Sequence, residues 1–196
     1  MDERHFFDSL SESWDDNEVL STPERVNEIL DYLDIKQGQK VLDLGTGTGV
    51  LLPYIAKRVG PEGLITAVDY SSGMLGRAIK KNSGLLPKPT FLNLDFESEN
   101  IPDEYDRIIL YCVYPHLHDP IATLSWLKSV NLKQGGTISI AFPCSADFIN
   151  RIHEQNHSES GKLVTPARLK ELLQENGLNA EVIADADTAY IVNIYK

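Results

Sequence analysis

The chain has 196 residues, enough for one domain with a substantial core and too few for two of ordinary size. Asp and Glu number 29 against 18 Lys and Arg, and the formal net charge of -11 argues against nucleic acid and anionic membranes as partners. No run reaches the ~18 apolar residues of a membrane span, and the opening MDERHFFDSL has acids where a secretory signal carries basic residues.

Residues 1–20 mix Phe6, Phe7, Leu10, Trp14, Val19 and Leu20 with acids, the pattern of a short amphipathic segment that packs onto the domain as a cover. Thr22-Pro23 starts a helix, with Thr as N-cap and Pro at the first helical position. Val26, Ile29, Leu30 and Leu33 follow at helical spacing, so one face is buried. Gln37-Gly38-Gln39 turns into a first strand, Lys40 to Leu44. Three glycines then alternate in GTGTG, and a helix runs to about Val59, with Pro53 tolerable only in its first turn.

Gly60-Pro61-Glu62-Gly63 is a turn, and Leu64 to Val68 a second strand that ends at Asp69. Ser71 and Ser72 are candidate caps for a helix carrying Met74, Leu75, Ala78 and Ile79. A third strand, Thr90 to Leu94, ends near Asp95, and Asp106 opens a fourth, RIILYCV. A helix from about Ile121 to Val130 leads through Gly135-Gly136 to a fifth strand, TISIAF. A helix from Pro166 to Asn176 stops at Gly177, and two strands near 178–184 and 188–195 close the chain.

Strand and helix alternate throughout, which predicts an α/β fold: one doubly wound, mostly parallel seven-stranded sheet with helices on both faces. Only Asp185-Ala186-Asp187 separates the last two strands, too short for a parallel crossover, so they should form an antiparallel C-terminal hairpin. The expected organisation is a single domain over residues 1–196. Cys112 and Cys144 are 32 residues apart with no C-x-x-C, which suits two reduced thiols in a cytoplasmic protein.

A glycine-rich turn between a strand and a helix lets backbone approach a ligand closely and points helix N–H groups at it. In open α/β sheets such ligands lie beyond the carboxyl ends of the strands. Here Gly45, Gly47 and Gly49 give G-x-G-x-G, with Val50 where the third glycine of the dinucleotide fingerprint G-x-G-x-x-G belongs, and Asp43 two residues ahead of the first glycine. VLDLGTGTGVL, ITAVDYSSGML, FLNLDF, YDRIIL and LKQGGTISIAF together resemble the class I S-adenosylmethionine-dependent methyltransferases, over roughly residues 23–143 and in the right order.

The resemblance implies a Rossmann-like methyltransferase fold and S-adenosyl-L-methionine as cofactor. It implies that Asp43 and the turn of Gly45, Thr46, Gly47 and Gly49 hold the methionine end. Asp69 would take the two ribose hydroxyls, with Tyr70 against the adenine. Asp95 would accept from the adenine amino group and Phe96 would border the ring. Tyr111, closing the fourth strand, completes the expected cofactor-binding set. The chemistry of the residues agrees: a carboxylate accepts from two vicinal hydroxyls, and an exocyclic N–H₂ offers a donor. Taken singly, Asp69 and Asp95 have the common alternative uses of Asp as helix cap and turn former.

The loop YCVYPHLHDP follows the fourth strand, where the family places residues beside the transferring methyl. It lacks the N-P-P-Y tetrapeptide of amide- and adenine-N methylating enzymes and looks closer to the small-molecule branch, so a small-molecule acceptor is expected. Tyr111, Tyr114, His116 and His118 are candidates there. Residues 144–164 are long for a connection and should hold an acceptor-side insertion, with His153 and His157 on one face if helical. His116 and His153 are the expected catalytic pair, because a histidine near neutral pH takes a proton from an attacking nucleophile. Convergence of Cys112, His116, His118, His153 and His157 on a metal ion is the weaker reading, since no tight ligand spacing enforces it. A cofactor-binding module without turnover that acts on a partner protein is the alternative function; a nicotinamide-dependent reductase is disfavoured by Gly49-Val50 and by Asp43. The expected assembly is a monomer or homodimer.

Overall fold

A computed structural model of the chain describes residues 3–17, 21–155 and 161–196. Two short helices come first, α1 (Glu3–Leu10) and α2 (Trp14–Asn17), followed by α3 (Pro23–Tyr32), whose N-cap Thr22 accepts from Arg25 N. Then come β1 (Lys40–Leu44), α4 (Leu52–Val59), β2 (Leu64–Asp69), α5 (Ser72–Lys81) and β3 (Thr90–Asn93). The second half holds β4 (Tyr105–Tyr111), α6 (Pro120–Trp126), β5 (Leu132–Phe142), α7 (Ala146–Gln155), α8 (Pro166–Glu175), β6 (Asn179–Ala186) and β7 (Ala189–Tyr195). All seven strands form one sheet in the order β3-β2-β1-β4-β5-β7-β6. The first five run parallel, while β7 pairs antiparallel with β5 and β6, giving the predicted terminal hairpin.

The sheet is buried on both faces, and its alternation sorts side chains into two cores. Leu42, Leu44, Ile108, Leu110, Ile138 and Ile140 face one core, closed by Leu124, Leu127, Leu169 and Leu173 of the helical layer. Val41, Ile65, Ala67, Ile109 and Ile191 face the other, against Val26, Ile29 and Leu30 of α3 and Leu52, Ile55 and Val59 of α4. Each fully buried aliphatic side chain contributes about 1.5–3 kcal/mol, so the two layers fix the sheet as a rigid platform.

Several boundaries differ from the sequence expectation, each for a tertiary reason. α6 begins at Pro120 and gives way after Trp126 to a π-helical turn, Leu127–Asn131, whose last residue is buried and donates from Nδ2 to Ile101 O and Asp103 O. β5 starts at Leu132, ahead of Gly135-Gly136, because an irregularity in its pairing with β4 absorbs the glycines. Asp106 anchors β4, accepting from Lys40 N at 2.7 Å and from Lys133 Nζ at 2.9 Å. Within 144–164, α7 is tied back by Asn150, which donates to Leu163 O and accepts from Leu163 N. Among the described residues, no helix is long and apolar enough to cross a membrane.

Candidate cofactor and acceptor site

The chain leaves β1 for β2 on one side and reaches β4 on the other, so the carboxyl end of β1 is the point where strand order reverses. Gly45, Gly47 and Gly49 all stand there with φ between 55° and 79°, which side-chain-bearing residues adopt at a cost. Gly45 also has no room for a side chain, since a Cβ would lie 2.5 Å from Val113 Cγ2, in the loop after β4. At Gly47 a Cβ would meet nothing within 4 Å, so this bend faces space that a ligand can fill. The turn is tied to the end of β2: Thr46 N donates to Val68 O at 2.9 Å and Gly47 N to Asp69 Oδ2 at 2.8 Å.

Two buried carboxylates dominate the electrostatics. Asp43 is only 1% exposed and accepts from Thr46 Oγ1 at 2.7 Å. Burial pushes its carboxyl up to about 7, helped by the neighbouring Asp69 charge and opposed by the Thr46 hydrogen bond. Asp69, 5% exposed, accepts from Ser71 N and Gly47 N, and burial raises it to about 6 with Asp8 adding to the rise. Each Asp69 oxygen takes one backbone N–H and keeps a lone pair for a hydroxyl. A paired acidic site of this kind suits a cationic ligand bearing vicinal hydroxyls and opposes a pyrophosphate.

Asp95 uses Oδ1 to accept from Glu97 N at 3.0 Å, so its turn-forming role is realised. Phe96 is half-buried against the first core. The Tyr111 hydroxyl lies 3.0 Å from Ser21 Oγ, joining the end of β4 to the entry of α3. Tyr70 has the Arg4 guanidinium over its ring at 5.4 Å.

The histidines separate. His116 and His153 meet, with ring centroids 5.4 Å apart, although they come from the short 3-10 turn Tyr114–His116 and from α7. His118 does not join them. Its side chain is 87% exposed and pairs with Glu97 at 3.2 Å, so this candidate of the loop stands apart from His116 and His153. Glu97 also accepts from His118 N, Asp119 N and Thr123 Oγ1, and this set turns the loop outward after His116. His157 lies outside the described residues. Among the described residues, no three His, Cys, Asp or Glu side chains are grouped to hold a metal ion.

Three contributors escaped the sequence reading. Asn93, ending β3, donates from Nδ2 to Asp69 O and Tyr70 O and so fixes the backbone between those residues. Glu97 clamps the loop after β4 as described. Asp8 of α1 accepts from Ser71 Oγ at 2.5 Å and Gly73 N at 2.9 Å, capping α5. Asn93 had a signal in its place at a strand's carboxyl end; the other two act over long sequence separations without local trace.

A family model described as "Methyltransferase domain" matches residues 35–177. Protein-L-isoaspartate O-methyltransferase of Methanothermobacter thermautotrophicus is 34% identical over 109 residues, covering 54% of this chain and 50% of that protein. Ubiquinone/menaquinone biosynthesis C-methyltransferase UbiE of Coxiella burnetii is 31% identical over 109 residues, covering 54% and 43% respectively. The chain thus spans half or less of the length of these curated relatives. A SAM-dependent methyltransferase from Aquifex aeolicus has the same fold, with a TM-score of 0.74 over 95% of this chain and 97% of that one at 23% identity. On the match over residues 35–177 and the site geometry, the chain belongs to the class I S-adenosylmethionine-dependent methyltransferase family.

Proposed function

We propose that this chain transfers a methyl group from S-adenosylmethionine to a small-molecule acceptor in the cytoplasm. The observation that carries the acceptor class is the convergence of Phe7, His116 and His153, with Phe7 to His116 at 5.3 Å and His116 to His153 at 5.4 Å. α1, the turn after β4 and α7 thereby wall the acceptor side on three sides, which favours a small molecule over a macromolecular surface. The net charge of -11 further disfavours a nucleic-acid acceptor. The curated relatives named above act, by their names, on a protein residue and in quinone biosynthesis, so they leave the acceptor to this chain's own residues.

S-adenosylmethionine, when bound, supplies a methyl group on a sulfonium cation. In this reading Asp43 and the Gly45–Gly49 turn, with Thr46 in it, hold the methionine end. Asp69 receives the ribose hydroxyls, while Tyr70, Asp95, Phe96 and Tyr111 surround the remainder. Orientation of acceptor and methyl in line supplies most of the acceleration. For an acceptor that attacks through an O–H or N–H group, the attacking atom would take the methyl carbon as the cofactor's carbon–sulfur bond breaks, leaving the neutral thioether product. The proton released from the attacking atom passes to His116 or His153. The N-terminal segment covers this space and excludes water. Incubating the protein with S-adenosylmethionine and a fractionated metabolite mixture tests the reading. Acceptor-dependent formation of S-adenosylhomocysteine supports turnover; cofactor binding with no product from any fraction leaves only the binding-module alternative.

A further inference from the structure

The N-terminal helices make specific contacts that the sheet and its two cores do not require. Asp8 reaches Ser71 Oγ across 63 positions of sequence and takes Gly73 N as well, so one carboxylate caps α5 from a separate helix. Gly73 is part of this fit, because a Cβ there would stand 2.8 Å from Ser11 Oγ and 3.2 Å from Asp8 Oδ1. α2 is fastened independently. Asp15 accepts from Thr48 Oγ1 at 2.6 Å and from Lys81 Nζ at 2.8 Å.

Both fastening points sit on turns assigned above to the cofactor. Ser71 is bonded through its backbone N–H to Asp69, and Thr48 lies between Gly47 and Gly49. Phe7 is carried by the same segment, with its ring 6.2 Å from Tyr70, 5.6 Å from Trp14 and 5.3 Å from His116. It therefore bridges the end of β2 and the loop after β4, the two banks of the site.

We propose that Asp8 and Asp15 are positioning residues that latch α1 and α2 onto the cofactor-holding turns and thereby set Phe7 as the wall between the cofactor and acceptor sides. The inference rests on the cofactor site proposed above. Because the latch grips the same turns as the ligand, each stabilises the other's hold by the same factor, as linkage requires. A merely structural helix dock would stabilise the fold without this coupling.

Two readouts on the full-length chain test it. The first is the rate of S-adenosylhomocysteine release, and the second is the His116 ring-proton NMR signal, which the neighbouring Phe7 ring shifts. Asp8→Ala should release S-adenosylhomocysteine about tenfold faster, the scale of one lost charge-assisted hydrogen bond. Asp8→Asn keeps an acceptor oxygen without the charge and should recover part of the slow rate. In Asp8→Ala the His116 signal should move to its position in Phe7→Leu. If Asp8→Ala fails to fold, Asp15→Ala carries the same comparison. An unchanged release rate together with an unmoved His116 signal overturns the latch. Absence of S-adenosylhomocysteine binding in the unmutated protein overturns the cofactor reading instead, and the ligand-independent His116 signal then still judges the position of Phe7.

Discussion

Replacing Asp43 by Asn should raise the stability of the fold by about 4 kcal/mol near pH 8 and leave it almost unchanged near pH 4. Asp43 is 1% exposed, and burial lifts its carboxyl from the ordinary 3.8 to about 7, with the Asp69 charge adding to the effect. The interval of roughly three units, at about 1.4 kcal/mol each, sets the magnitude. The sign follows from proton counting. Between these two values the folded carboxyl keeps its proton while the unfolded one has lost it. Stability therefore falls as pH rises from about 4 to about 7, and the whole loss is in place above that. Asn has the same shape and keeps an oxygen for Thr46 Oγ1, which donates to Asp43 Oδ2 at 2.7 Å, but it has no charge to bury. Urea unfolding of both proteins at about pH 4, 5.5 and 8, with equal m-values, measures the difference. A gain below about 1 kcal/mol at the highest pH, or a gain that does not shrink on acidification, refutes the reasoning. The same substitution should weaken binding of the sulfonium cofactor more than that of its neutral thioether product, because the site loses a negative charge.

Asp69→Ala should lower S-adenosylhomocysteine affinity by about tenfold or more in calorimetry, since charge-assisted hydrogen bonds are worth about 1.5–3 kcal/mol each before solvent compensation. Gly45→Ala should destabilise the fold by about 2–4 kcal/mol in urea unfolding, from its φ of 65° and the 2.5 Å approach of Val113 Cγ2. Adding Val113→Ala should recover the steric part and leave the backbone part. His116→Ala should cut methyl-transfer turnover and leave S-adenosylhomocysteine affinity almost unchanged, a split that an equal loss in both would deny.

What was legible in the sequence is what local chemistry dictates. Thr22-Pro23 and Ser71 announce helix starts because a hydroxyl cap and a fixed φ act within one turn, and both caps are made. Adjacent apolar residues such as Val41 and Leu42 announce a strand buried on both faces, and the two side chains enter opposite cores. The glycine turn was legible because only glycine occupies those φ values cheaply. The orientation of His118 was not, because Glu97, 21 positions away, determines it through the His118 backbone N–H. The Asp8 cap on α5 was equally hidden, since nothing near Asp8 distinguishes it from an acid on a solvated helix face. Proximity of His116 to His153 was expected from topology alone, as both elements hang over the carboxyl end of the sheet, and their rings stand side by side.

A crystal structure of the protein with S-adenosylhomocysteine bound tests the central claim most directly, through the distance from the ribose hydroxyls to the Asp69 carboxylate. The site described here predicts both hydroxyls within about 3 Å of Asp69, the ligand chain crossing Gly47, and the sulfur turned toward His116. A ligand seated away from Asp69, or a sulfur turned away from His116 and His153, would contradict it.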